Sequence, residues 1–336
     1  MGTDQIIIKG DPAKPATIFI HELGMDRRIW ESPDEARILG DRFPIHFIAC
    51  KEPETEVCVP KCHHPQHKGL FFGKAQEHLK TLFHDLKEEG LTVIACSQQR
   101  PSAEIDVAAS ELGQLIISAE PYTKAGIVLI GHSRGGLIAR KYLKNGHKRI
   151  KALITLATPH SGSRMAQWAG HLNPLLSIVS QLIPNSDKGT LAYTLKKIIA
   201  FLKSTAVKEL LPDSQFFRTL DDNRYEGIYY ISSGGTNPAL FRLYRWIEQR
   251  IYEQDVEKML LRPQKVLSVP DIFESVIPQK LFPEEMKKGY GDGLVSASSS
   301  RLPWADEHHD FDVNHAGILF DKRVRTKIID ALKRIA

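Results

Sequence analysis

Short apolar runs recur along the chain at intervals that leave room for a helix between them. TIFIH at 17–21, IHFIA at 45–49, LTVIA at 91–95, GIVLI at 126–130, KALITLA at 151–157 and EGIYYIS at 226–232 are rich in β-branched residues, which predicts buried strands. The segments 75–89 and 104–118 are amphipathic and of helix length. Alternation of this kind predicts a mostly parallel sheet covered by helices on both faces.

Two stretches break the rhythm. From about 165 to 210 the pattern is helical throughout. One stripe is Leu175, Ile178, Val179, Leu182 and Ile183; another is Leu191, Leu195, Ile198, Ile199 and Leu202. A third stripe, Leu240, Leu243, Tyr244, Ile247 and Ile251, opens the stretch 238–288. These predict insertions at 163–218 and 237–288 in a single domain spanning 1–336. Such stripes serve packing first, and their position between strands also suits a lid over a pocket. No internal repeat or low-complexity tract is present.

Composition narrows the class. The chain has 336 residues, enough for a large core, and 45 basic against 40 acidic side chains. The basic residues are dispersed, which argues against a nucleic-acid partner. Nothing approaches the roughly 18 consecutive apolar residues of a membrane-spanning helix. The N-terminus MGTDQIIIKGDPAKP lacks a basic stretch followed by an apolar one, so no secretory signal is expected and a cytoplasmic location is the default. Four cysteines do not suggest a disulfide scaffold.

Candidate chemistry begins at VLIGHSRGGLIARKYL. Gly131-His132-Ser133-Arg134-Gly135 fits G-x-S-x-G, after a predicted strand and before a predicted helix. A serine at the apex of so tight a turn is a nucleophile candidate. Bulk two residues to either side would clash, and the helix start offers free backbone N–H groups. Such a serine needs a base and an orienting carboxylate, following it in the order acid then histidine. GYGDGLVSASSSRLPWADEHHDFDVNHAGILFD offers Asp292 on a tight glycine-flanked loop and His315 just before the last helix. His308 and His309 compete as bases, and Asp306, Asp310 and Asp312 as acids, within a polar run that reads as a solvated loop.

GHSRGG, ATPHSGS at 157–163, PDSQFFRTL at 212–220, GDGLVSASSSRL and NHAGI together resemble the bacterial true lipases of the α/β-hydrolase fold. Around the acid and base loops the chain is similar to the Pseudomonas and Burkholderia triacylglycerol lipases. The resemblance runs over roughly residues 17–320. It implies an α/β-hydrolase with a mostly parallel sheet flanked by helices and with helical cap or lid insertions. It makes Ser133 the nucleophile, Asp292 the acid and His315 the base, with His132 pointing away. The oxyanion hole would be the backbone N–H groups of Leu23, in IFIHELGMD, and Arg134. The resembled enzymes have glycine where this chain has Glu22, so Glu22 is expected to point outward or to pair with a cation such as Arg134 or Arg27. They also bind a structural calcium partly through an aspartate two residues after the base. Here that residue is Gly317, and calcium is not expected.

VCVPKCHHPQHKG concentrates Cys58, Cys62, His63, His64 and His67, the ligand types zinc prefers. The alternatives are a structural zinc site pinning a long loop, or a proline-bracketed surface loop with free or paired cysteines. No cofactor is expected for the chemistry itself. The functional expectation is a serine carboxylic-ester hydrolase, a lipase or esterase acting through an acyl-enzyme on medium to long acyl chains, with transient contact to a lipid interface. The same triad also fits a thioesterase, acyltransferase or polyester depolymerase, and the fold can host ligand binding without turnover.

Overall fold

Five of the six apolar runs assemble into one sheet. The computed structural model describes residues 4–42, 45–49, 52–58, 70–71, 73, 79–146, 148–168, 205–220, 223–240, 242–253, 256–268, 270–271, 274 and 277–335. Along the chain the strands are β1 (Gln5–Ile8), β2 (Ala16–Ile20), β3 (Arg37–Ile38), β4 (Asp41–Arg42), β5 (Glu56–Cys58), β6 (Leu70–Phe71), β7 (Val93–Cys96), β8 (Ile127–His132), β9 (Ile150–Leu156), β10 (Tyr229–Gly235), β11 (Arg242–Glu253), β12 (Val256–Ser268) and β13 (Glu307–Phe311). Seven build the main sheet in the order β1-β7-β2-β8-β9-β10-β13, parallel except that β1 runs antiparallel to β7. This is the α/β-hydrolase architecture.

Strand alternation divides the core between the two faces. In β2, Phe19 packs with Trp30, Phe83 and Ile328, whereas Ile18 and Ile20 pack with Leu112, Leu129 and Leu137. Helices Leu82–Glu88 and Lys322–Ile335 cover the first face; Ile105–Ser118 and Arg134–Asn145 cover the second. Each such side chain removed from water contributes about 1.5–3 kcal/mol. The helix Leu82–Glu88 starts at Thr81, whose hydroxyl accepts from Phe83 N while His84 returns the bond to the Thr81 N–H. The register sets Ile20 beside Gly131 and His132 beside Leu156. The carboxyl ends of β2, β8 and β9 therefore finish together, and the loops that follow them meet there.

Several sequence expectations are corrected. IHFIA is a single helical turn, His46–Ala49, with Ile48 N and Ala49 N donating to Ile45 O at 3.0 and 2.9 Å. A short apolar run does not reveal its period. The stripe opened by Leu240 and Leu243 lies largely on strand β11, not on a helix. β11 pairs antiparallel with β12 in a second sheet of order β5-β12-β11-β6. Its tyrosines, tryptophan and isoleucines suit a strand as well as a helix, and Pro263 of β12 lies beyond the stretch paired with β5, where β12 has no second neighbour among the described residues. Two edge strands lie outside the predicted runs: β1, and β13, whose polar EHHDF predicts a solvated loop. The stripes at 175–183 and 191–202 lie outside the described residues. Among the described residues no helix is long and apolar enough to cross a membrane.

Candidate active site

Ser133 stands between β8 and the helix Arg134–Asn145 with φ 52° and ψ −124°, a conformation that costs a non-glycine residue about 1–3 kcal/mol. The surroundings hold it there. Ser133 N donates to Leu156 O at 2.8 Å and Gly136 N to Ser133 O at 3.1 Å. The flanking glycines are required by contact: a Cβ on Gly131 would lie 2.5 Å from Gly136 N, and one on Gly135 would lie 2.4 Å from Ile20 O. Strand β2 thus passes directly against the turn.

The structure brings Asp292 and His315 together. His315 Nδ1 lies 2.9 Å from Asp292 Oδ2. Asp292 is fully buried, and its Oδ1 accepts from Leu294 N and Val295 N at 2.9 and 2.7 Å. A carboxylate so held accepts from the imidazole, which fixes the proton on Nδ1 and leaves Nε2 as an acceptor. His315 N donates to Asp292 O at 3.0 Å, tying the two loops together. Asn314 anchors the same loop through Nδ2, which donates to Ile48 O and Ala239 O at 3.0 and 2.8 Å. Burial alone would lower the His315 pKa. The charge and hydrogen bond of Asp292, with the charge of Glu22, outweigh it, so the pKa is raised.

The competing residues are engaged elsewhere. His308 bonds Ser232 and Asp310, and His309 bonds Glu307. Asp306 holds Arg224 and the Tyr230 N–H, and Asp312 accepts from Asn237. Gly317 N donates to Asn314 Oδ1 at 2.7 Å, closing a turn at the position where the resembled lipases carry a calcium ligand.

The loop after β2 is organised by His21. Its Nε2 accepts from Gln98 N at 3.0 Å, so its Nδ1–H donates to Glu22 O at 2.8 Å. Burial lowers the His21 pKa, and the ring stays neutral. The Glu22 carbonyl and the Leu23 N–H belong to one planar peptide and point opposite ways, so this bond also aims the Leu23 N–H. Among the described residues no acceptor takes the backbone N–H of Leu23 or Arg134. In the sequence His21 only closes the apolar run TIFIH; its role becomes visible through Gln98, distant in the chain.

Glu22 departs from expectation. It neither points outward nor pairs with Arg27 or Arg134; its carboxylate turns inward onto His132 Nδ1. Burial would raise its pKa, and the charge and hydrogen bond of His132, with the charges of His315 and His21, lower it. His132 does not point away either: its Nε2 lies 2.8 Å from His315 O, and the two imidazoles are 4.9 Å apart. Arg27 pairs with Asp4 and Glu31. The Arg134 side chain is buried and reaches Gln98 Oε1 at 3.3 Å, Ala103 O, and Glu209 at 3.8 Å. Burial brings its pKa down to about 10, against the opposing charges of Glu209 and Glu111. Arg134 therefore ties the strand-to-helix turn at Ser133 to the segment around Glu209. Ser163 makes a second tie, donating from N to Leu210 O at 2.7 Å and from Oγ to Leu294 O at 2.6 Å.

Of the cysteine–histidine run, only the backbone of Cys58, on β5, is described. Cys62, His63, His64 and His67 lie outside the described residues. Cys96 is a free, largely buried thiol whose pKa burial pushes up to about 12.

Comparisons place this geometry among known proteins. The family model described as palmitoyl protein thioesterase matches residues 57–228, half of the chain. No curated protein matches it. The fold is similar to the crystal structure of Bacillus licheniformis lipase BlEst2 in its mature form, with a TM-score of 0.56 at 16% identity, over 98% of this chain and 99% of that one. The propeptide form of the same lipase aligns with a TM-score of 0.55 at 16% identity, over 98% of this chain and 54% of that one.

Proposed function

Because the chain belongs to the palmitoyl protein thioesterase family, we propose that it is a serine hydrolase that cleaves acyl esters through an acyl-enzyme. The observation that carries this reading is the buried Asp292–His315 pair in the same loop cluster as a serine held on a strained strand-to-helix turn.

Each group has a role. His315 Nε2 takes the Ser133 hydroxyl proton as the oxygen attacks the acyl carbonyl. The backbone N–H groups of Leu23 and Arg134, which have no acceptor among the described residues, receive the developing oxyanion. His315 then gives its proton to the departing alcohol or thiol, leaving the acyl group on Ser133. Water, deprotonated by the same nitrogen, releases the acid and restores the serine. Asp292 holds the imidazole in the required tautomer and stabilises its cation.

The family favours a second, narrower reading: a thioesterase acting on long-chain acyl groups. A thiolate leaves more readily than an alkoxide, and the triad serves both. The insertions around 163–218 and 237–288 are the elements we assign to the acyl chain. Rates on p-nitrophenyl esters of increasing chain length, set beside palmitoyl-coenzyme A followed by free-thiol release, separate the two. Thioester turnover exceeding that of the matched oxygen ester supports the narrower reading; ester turnover alone restores the lipase or esterase reading. Absence of both in the wild type, under conditions where the protein is folded, removes the hydrolase assignment.

A further inference from the structure

Glu22, the residue that departs from the resembled oxyanion loop, completes a metal-ligand set. One carboxylate oxygen of Glu22 and one ring nitrogen each of His132 and His315 lie within 4.8 Å of one another, and both histidines are buried. A carboxylate with two imidazoles is a donor set zinc takes readily, at about 2.0–2.2 Å per bond. Ligand atoms on a tetrahedral ion of that size stand about 3.4 Å apart, so side-chain shifts of about 1 Å close the group.

The outer shell of such a site is already in place. A zinc-bound histidine normally donates its other ring N–H to a carboxylate or carbonyl, which fixes the ring and its tautomer. His315 does this through Nδ1 to Asp292, leaving Nε2. His132 does it through Nε2, donating to the His315 carbonyl at 2.8 Å and leaving Nδ1 on the Glu22 side. Among the described residues, His132 Nδ1 and Glu22 Oε2 have only each other.

The geometry points to a Zn2+ site formed by Glu22, His132 and His315 that, when filled, switches the hydrolase off. The ion accepts lone pairs from His315 Nε2, His132 Nδ1 and a Glu22 oxygen. The proton that Glu22 and His132 hold between them is released to solvent, and no oxidation or reduction occurs. With its Nε2 on the metal, His315 no longer takes a proton from Ser133. The inhibitory half of this inference rests on the proposed triad; the binding half does not.

The test uses the full chain, treated with EDTA, as wild type, Ser133→Ala and Glu22→Gln, each titrated with zinc sulfate alone by calorimetry. Wild type and Ser133→Ala are expected to bind zinc equally, and Glu22→Gln to lose one ion or bind it at least tenfold more weakly. Any zinc taken up by the separate Cys58–His67 run survives that change. Ester hydrolysis by the wild type is expected to fall with the same midpoint and to return on adding EDTA. A zinc-soaked crystal of the wild type, with an anomalous peak between the three side chains, gives the same answer without a variant. Zinc binding indifferent to Glu22, or no peak at that position, overturns the site. A filled site with undiminished hydrolysis overturns the inhibition. Hydrolysis absent even without zinc refutes the enzyme reading, while the Ser133→Ala titration still reports on the site.

Discussion

Replacing Asp292 by asparagine isolates what the buried carboxylate does for His315. The backbone donors Leu294 N and Val295 N both converge on Oδ1, at 2.9 and 2.7 Å, so the single amide oxygen of asparagine is captured there. The amide nitrogen then occupies the place of Oδ2, 2.9 Å from His315 Nδ1. An NH2 group donates, so Nδ1 must accept and the ring proton moves to Nε2, the nitrogen assigned to receive the Ser133 proton. The base is then in the wrong tautomer. A loss of roughly 10^4-fold in kcat follows, about 5.4 kcal/mol of transition-state stabilisation, with KM changed little because Asp292 touches no substrate.

The same substitution moves the pH profile. Only neutral His315 acts as base, so activity in the wild type rises with pH through a raised pKa. Without the carboxylate charge, the residual activity rises at lower pH. The pairing of cationic His315 stabilises the fold below the unfolded histidine pKa of about 6.5 and is lost as pH climbs through the raised native value; the variant loses this contribution. The assay is p-nitrophenyl butyrate turnover from about pH 5 to 9 with EDTA present, alongside circular dichroism to show that the variant is folded. An Asp292→Asn protein retaining more than about a tenth of wild-type kcat refutes the reasoning.

His21→Leu removes the bond that aims the Leu23 N–H, and kcat should fall by roughly 10- to 100-fold with KM held, below the cost of deleting an oxyanion donor outright; unchanged steady-state kinetics in a folded variant contradict this. Gly135→Ala drives a methyl group into Ile20 O, a backbone atom without freedom to move, so thermal melts should show several degrees of destabilisation along with loss of activity. His160 is buried with Arg140 donating to its carbonyl at 3.0 Å and Thr155 on its Nε2; burial, with the charges of Arg140 and His308, holds its pKa well below the usual range. The unfolded chain therefore takes up a proton that the native state refuses, and stability should fall by about 1.4 kcal/mol per pH unit below about pH 6.5 on this account. In His160→Gln, denaturant midpoints across that range should fall less steeply; the same slope as wild type contradicts the assignment.

The sequence carried the parallel sheet because β2, β8, β9 and β10 are buried on both faces and read as unbroken apolar runs. It also carried Ser133, since Gly131 and Gly135 are demanded by contacts only a few residues away or with the adjacent strand. Edge strand β13 escaped because an edge does not require apolar residues, and Glu307 to Phe311 supply few. The hairpin of β11 and β12 escaped because Leu243, Ile247 and Ile251 fall at helical spacing while their partners lie in a segment still to come. The choice among His308, His309 and His315 needed family resemblance rather than spacing, for all three stand in one polar stretch. The inward turn of Glu22 was invisible because its partner, His132, lies far along the chain and arrives only when β2 and β8 pair.

The most direct test of the account is where a fluorophosphonate probe attaches. With Ser133 as an activated nucleophile, EDTA-treated wild type gains one probe mass by intact-protein mass spectrometry, peptide mapping places it on Ser133, and Ser133→Ala and Asp292→Asn take up little or none. Labelling that persists in folded Ser133→Ala, or a wild type that hydrolyses esters yet carries the probe on another residue, contradicts it.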